Sequence, residues 1–398
     1  MTALSATAPS LSRRWAALAF APVLLHALAS RLVFDLALVV GGVFKAAKFD
    51  PTRDYAWPSQ GETAGRLAAG AVNYGDFDWY RSVIVRGYDR VPFDGSLEHN
   101  WAFFPLQPMM LRLVETPAAQ FLVGHLAFFA AVALLFAYLR RATDEPTATA
   151  SIALMVWFPF SFTISQFRPE TFLLLFSALA LVLAQSGRRW DAAIAAGLAG
   201  LAKPNAFLLA LLLLPEAWRE RPRVSLRDAL AKLSPSTLAL LAAPASGLVF
   251  LTLYLWNITG EPLAWAKIQG AWGAKFLERP LEQAAALVTN PLIVGRGGWD
   301  PTLLHWTVLA AAAVATGYLV FRRRYVFALY IAGYVCLTFA NHGVFAIGKH
   351  LSTCFPVFVG LALMLRGREG FALVLAGSAA LLALNGVFAA LGFNFVRA

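Results

Sequence analysis

The chain has 398 residues, 59% of them hydrophobic and 14% charged, with a mean hydropathy of +0.63. A soluble domain is about half apolar and about a quarter charged, so the composition excludes an ordinary soluble protein and points to an all-α polytopic membrane protein. The arginines behind the +11 net charge cluster in short connections between apolar runs. That positive-inside pattern argues for anionic headgroups as a partner and against nucleic acid.

In chain order, an apolar run over 15–44 predicts a first, retained span; it is too long for a signal-peptide core and lacks a clear small-residue cleavage site. Arg31 and Asp35 within it share one helix face at i, i+4, as a functional site or a buried structural pair. A long external loop over 45–117 contains "GDFDWYRSVIVRGYD" at 75–89. In an irregular or extended loop Asp76 and Asp78 point to opposite sides, which suits one general base better than a paired dyad; the alternative is a solvated acid or a helix N-cap. Trp79 and Tyr80 would hold the segment at headgroup level. His99 and Asn100 stand where a polar ligand would pass, just before "WAFFPLQP" at 101–108, whose Pro105 and Pro108 predict a bent or re-entrant return to the bilayer.

Spans follow at 118–139, 148–165 and 171–187, with Arg168 and Glu170 in a tight external turn and Glu170 bracing the last of these. From 191 to 218 both ends adjoin basic clusters and each half is short for a crossing, so a hairpin of two short helices is expected, with Lys203, Pro204 and Asn205 at its apex. Lys203 lies far from the basic loops and calls for an anion, of which a lipid phosphate is the best motivated. A span at 236–256 leads to a second external loop, 257–302, carrying a formal glycosylation sequon at Asn257-Ile258-Thr259. There Trp265, Ile268, Trp272 and Phe276 form one stripe, the mark of an interfacial helix that guides a lipid or anchors the loop. Spans at 303–321, 325–341, 351–365 and 371–392 bring the total to about eleven, in one integral membrane domain over 1–398. Lys349 and His350 open the 351–365 span externally, Lys349 as a second phosphate ligand or a snorkelling lysine. Cys336 and Cys354 read as packing residues. The absence of P-loop, GxSxG, HExxH and Cys/His metal motifs removes an ATP-driven pump, a serine hydrolase and a zinc protease.

Gly75-Asp76-Phe77-Asp78-Trp79-Tyr80, then Gly87-Tyr88, then Ala102-Phe103-Phe104-Pro105 with Pro108, resemble the signature of the PIG-V-type mannosyltransferases of GPI-anchor assembly and their prokaryotic relatives. Ser30-Arg31, Pro169-Glu170, the KPN at 203–205, "TGEPLAWAKIQGAW" and "GKHLSTCFP" extend the resemblance in patches over most of the chain. Gly75 departs from the family's usual Trp. Lys203 and Lys349 stand where arginines are common, keeping the charge but losing bidentate phosphate recognition.

The resemblance implies a GT-C fold and an inverting glycosyltransferase, with mannose leaving a polyprenyl-phosphate donor for an acceptor hydroxyl on the external face of a plasma membrane. Asp76 would be the general base. Asp78, Trp79, Tyr80, His99, Arg31, Arg168, Glu170, Lys203, Asn205, Lys349 and His350 would line the substrate site, with the lysines on the departing phosphate. No cofactor and no divalent metal are expected. The alternatives are a lipid-linked sugar flippase without transferase chemistry and a non-catalytic membrane subunit.

Overall fold

The computed structural model describes residues 19–47, 76–218, 234–271 and 302–391 except 342, 345 and 368, with short stretches between 282 and 300. Apolar runs rich in Ala and Leu, strong helix formers, become helices α1 (Ala21–Ala47), α4 (Pro117–Ala142), α5 (Glu145–Val156), α6 (Pro169–Gln185), α7 (Arg189–Ala202), α8 (Leu209–Trp218), α9 (Pro235–Ala242), α10 (Ser246–Thr259), α12 (Thr302–Phe321), α13 (Tyr325–Asn341), α15 (Phe355–Leu365) and α16 (Glu369–Leu391). Outside these lie α2 (Phe77–Arg86), α3 (Leu106–Leu113), the one-turn α11 (Ala264–Lys267), α14 (Ile347–Leu351), and two short antiparallel strands, β1 (Ile293–Gly295) and β2 (Gly298–Asp300), with Ile293 opposite Asp300.

Five helical segments among the described residues are long and apolar enough to cross a bilayer: 21–43, 117–142, 235–259, 303–321 and 369–390. Shorter apolar helices lie at 169–185, 204–216, 325–339 and 355–365. The chain is thus a multi-pass helical membrane protein. Several helices begin at sequence-encoded caps. Thr116, Asp144 and Ser234 each accept a backbone N–H three residues on, each ahead of a proline in the first turn.

Small residues set how closely the helices cross. α1 packs along α16 where Gly41 meets the Val387 backbone and Gly386 meets the Phe34 carbonyl. α7 crosses α10 where Gly200 and Gly247 bring their backbones into direct contact, next to the Pro244 break between α9 and α10. The central core is shared by α4, α5, α6, α7, α8, α13 and α15, around Phe128, Phe136, Phe162, Leu181 and Phe358.

The expected third span is interrupted. α5 stops at Val156, and after Pro159 the chain makes a 3-10 turn over Ser161–Ile164. A buried break leaves carbonyls without helical partners, and Arg31 meets that need. Its Nη2 donates to the Val156 carbonyl and Ser161 Oγ, and its Nη1 to the Ser161 carbonyl and Ser165 Oγ, at 2.6–3.0 Å. Asn385 Nδ2 donates to the Pro159 carbonyl at 2.8 Å. The expected hydrogen-bonded pairing of Arg31 with Asp35 is therefore replaced. Asp35 faces His125 of α4 at 3.4 Å, and Arg31 fastens α1 to the broken segment.

A Cβ at position 247 would run into the Gly200 backbone, which cannot yield as a flexible side chain can. Gly247→Val is expected to cost about 1–3 kcal/mol or more and to lower the thermal midpoint in detergent. Gly317→Ala, facing open space on α12, should leave it unchanged or raise it.

Candidate active site

The opening motifs fold as one extramembrane unit. α2 starts at Asp76, its N-cap residue, and ends at Gly87, whose φ of 76° lies in the left-handed region that glycine enters without strain. Tyr88 Oη donates to the Phe103 carbonyl at 2.6 Å. Asn100 Nδ2 donates to Ser82 Oγ and to the Gly87 carbonyl, both at 3.0 Å, while its Oδ1 accepts from the Asp89 amide. Trp79 stacks on Phe103 at 5.9 Å and Tyr80 meets the same ring edge-on at 4.9 Å. The Gly-Tyr and Ala-Phe-Phe-Pro motifs thus support each other and hold the helix that begins at Asp76. Tyr88, Trp101 and Phe104 form a second small core with Leu251, Leu255, Ala264 and Ile268, which ties this unit to α10 and α11.

Below it, four segments meet in an ionic cluster. α6 and α7 are joined by a short turn at 186–188 and pack side by side, so the end of α7 returns to the level where α6 began. At that level Lys203 Nζ donates to Glu170 Oε1 at 2.7 Å. Lys349, on α14, lies 3.9 Å from the same Glu170 oxygen and 3.3 Å from Asp76 Oδ2. The two carboxylates differ in access: the Asp76 side chain is 37% exposed and that of Glu170 2%. Arg168 is buried at the foot of α6, and its charge acts on both Glu170 and Tyr80. Burial, and after it the charges of Asp76 and Glu170, push the Tyr80 phenol well above its ordinary value, so it remains protonated. Asn205 Nδ2 faces His350 Nδ1 at 3.2 Å, cross-linking the same two lysine-bearing segments. Among the described residues, no group of three or more His, Cys, Asp and Glu side chains is arranged as a metal ligand set.

Asp76, Tyr80, Arg168, Glu170, Lys203, Asn205, Lys349 and His350 are thereby gathered around one cluster, drawn from sequence positions up to 273 residues apart. Several expectations are corrected. Asp76 and Asp78 stand at a helix start and not in an extended loop, and Asp78 is exposed in the first turn. Lys203 and Lys349 have protein carboxylates as partners. The Lys-Pro-Asn apex lies at the level of the Glu170 turn, because α7 with its 14 residues spans about 21 Å, nearly the rise of α6. His99 pairs with Asp89 at 3.0 Å and stacks on Trp101 at 4.1 Å, so it supports the loop.

The expected interfacial helix is a single turn, α11, followed by a 3-10 turn over Ile268–Gly270. Its Ile268 is buried against the first loop, and Trp265 Nε1 donates to Thr252 Oγ1 at 2.9 Å, so this stretch anchors the loop. Trp272 and Phe276 lie outside the described residues. The sequon is helical, and the Thr259 hydroxyl is buried on the Leu255 carbonyl at 2.8 Å. Sequence reasoning missed Asp89, which pairs with His99 and Arg86 and accepts the Trp101 indole N–H at its carbonyl. Its place directly after Gly87-Tyr88 was the available signal.

No protein-family model matches the sequence. No curated protein matches it either. Among solved structures the chain is similar to the crystal structure of an Archaeoglobus fulgidus oligosaccharyltransferase in complex with zinc and sulfate, with 15% identity, a TM-score of 0.42, and coverage of 91% of this chain and 52% of that one. The chain therefore matches about half the length of that protein.

Removing one member of a buried ion pair leaves its partner uncompensated at about 3–5 kcal/mol. Glu170→Ala should therefore lower the thermal midpoint sharply. Asp76→Asn, at a partly exposed position, should change stability by about 1 kcal/mol or less; thermal unfolding of the purified variants in detergent checks both.

Proposed function

We propose that the protein is an inverting GT-C-type glycosyltransferase that moves a sugar, mannose by the resemblance of its motifs, from a polyprenyl-phosphate donor to an acceptor hydroxyl on the extracytoplasmic face of the plasma membrane. The observation that carries the reading is Lys349 lying between an accessible carboxylate, Asp76, and an enclosed one, Glu170, with Lys203 on the far side. That arrangement puts a candidate base beside cations suited to a phosphate leaving group.

In this mechanism Asp76 takes the acceptor proton as the acceptor oxygen bonds to the anomeric carbon. The bond from that carbon to the phosphate oxygen breaks from the opposite side, with its electron pair on the phosphate, and configuration inverts. Lys203, Lys349 and Arg168 match the growing charge on the phosphate. Those cations supply the compensation the step needs, so the proposal includes no metal or other cofactor. Trp79 and Tyr80, packed on Phe103, keep Asp76 at the level where a lipid-borne sugar leaves the bilayer. The acceptor is a hydroxyl of a glycolipid, glycan or protein.

The test is sugar transfer by purified protein in nanodiscs from polyprenyl-phosphate-mannose to a panel of acceptors. Asp76→Asn is expected to lose about 10²–10⁴-fold in rate, the usual contribution of a general base, while Asp78→Asn retains most activity. Equal rates in wild type and Asp76→Asn would sink the base assignment. Donor crossing into vesicles without transfer would put a lipid-linked sugar flippase in its place.

A further inference from the structure

Resting on that reading, we propose that Glu170 selects the donor by charge: it fixes the site's excess at one positive charge, favouring a sugar linked through a single phosphate over one linked through a diphosphate. Among the described residues Lys203, Lys349 and Arg168 face two carboxylates, Asp76 and Glu170. The neighbouring groups do not alter that count. Tyr80 remains a phenol, and His350 Nδ1 faces the amide nitrogen of Asn205, a donor, so this ring nitrogen is an acceptor and the imidazole is uncharged. Asp78 is exposed, where water screens it.

Uncompensated charge is costly in a low-dielectric enclosure, so the ligand that cancels the excess binds best. A sugar phosphodiester carries one negative charge, and a sugar diphosphate carries two. Transfer preserves the balance. The leaving phosphate gains one negative charge as the carbon–oxygen bond breaks, and Asp76 loses one by accepting the acceptor's proton. Lys349 is the cation whose partner changes, from the Asp76 carboxylate to the phosphate. Glu170, rather than Asp76, sets the excess because its side chain is enclosed and keeps its charge through the cycle.

Equilibrium binding of a short-chain prenyl phosphoryl-mannose and its diphosphoryl counterpart, measured on the full-length protein in nanodiscs, tests this. Wild type should prefer the monophosphate by about tenfold or more, and Glu170→Gln, which raises the excess, should narrow that ratio by about tenfold or more. Glu170→Asp should restore the preference. Lys203→Met, which lowers the excess, should widen it, and a thermal melt of each variant confirms folding. A wild type that binds both lipids equally, or a ratio unmoved by Glu170→Gln, overturns the proposal. Binding is read without turnover, so a wild type that discriminates between the lipids yet transfers no sugar sinks the transferase reading and leaves the charge selection standing.

Discussion

A carboxylate enclosed at the top of an apolar bundle cannot be hydrated, and everything at the site follows from how Glu170 is compensated. Isolated in hydrocarbon its charge would cost far more than any packing could return. Two lysines from distant parts of the chain therefore converge on it, one closing α7 and one on the short α14. The second lysine reaches on to Asp76, so the extramembrane unit is tied to the same charge. One buried anion thus couples four segments that share no local sequence relation.

The same rule of satisfaction operates at the other buried polar feature. The break after α5 exposes backbone carbonyls in the middle of the bundle, and the Arg31 guanidinium and the Asn385 amide fill them. Arginine suits that task because its rigid fork presents several donors in one plane. Phe34 and Phe128 lie within 6.0 Å of its charge and add cation–π attraction. A charged residue within a span is here part of the architecture, whereas Glu170, Lys203 and Lys349 form a cluster with an open edge at Asp76.

Much of this was legible in the sequence. Apolar run length announced the membrane helices, and the scarcity of charge made Arg31, Arg168, Glu170, Lys203 and Lys349 conspicuous. Which charges meet was not legible. Arg31 and Asp35 are four residues apart and hydrogen-bond elsewhere, while Asp76 and Lys349 are 273 apart and pair. Periodicity reports one helix at a time and carries no information on which helices adjoin. The stripe at Trp265 and Ile268 failed for a related reason: a surface apolar face looks the same whether lipid or another loop will cover it. The motif pair at 75–89 and 101–108 was informative because its partners are close in sequence, so their glycine, tyrosine and asparagine supports fell within the same window.

Lys203 sits at the end of α7 and not along it, which makes the helix a measuring stick. Its distance from the turn at 186–188 is fixed by the rise per residue, and its direction by the winding of the chain. An extra residue in that turn can be taken up by a loop whose shape nothing else depends on. One within α7 would lift the lysine by about 1.5 Å and swing it by about 100°, away from Glu170. The cytoplasmic side of this hairpin can thus vary in length, while the helix between it and the site has only one length that works.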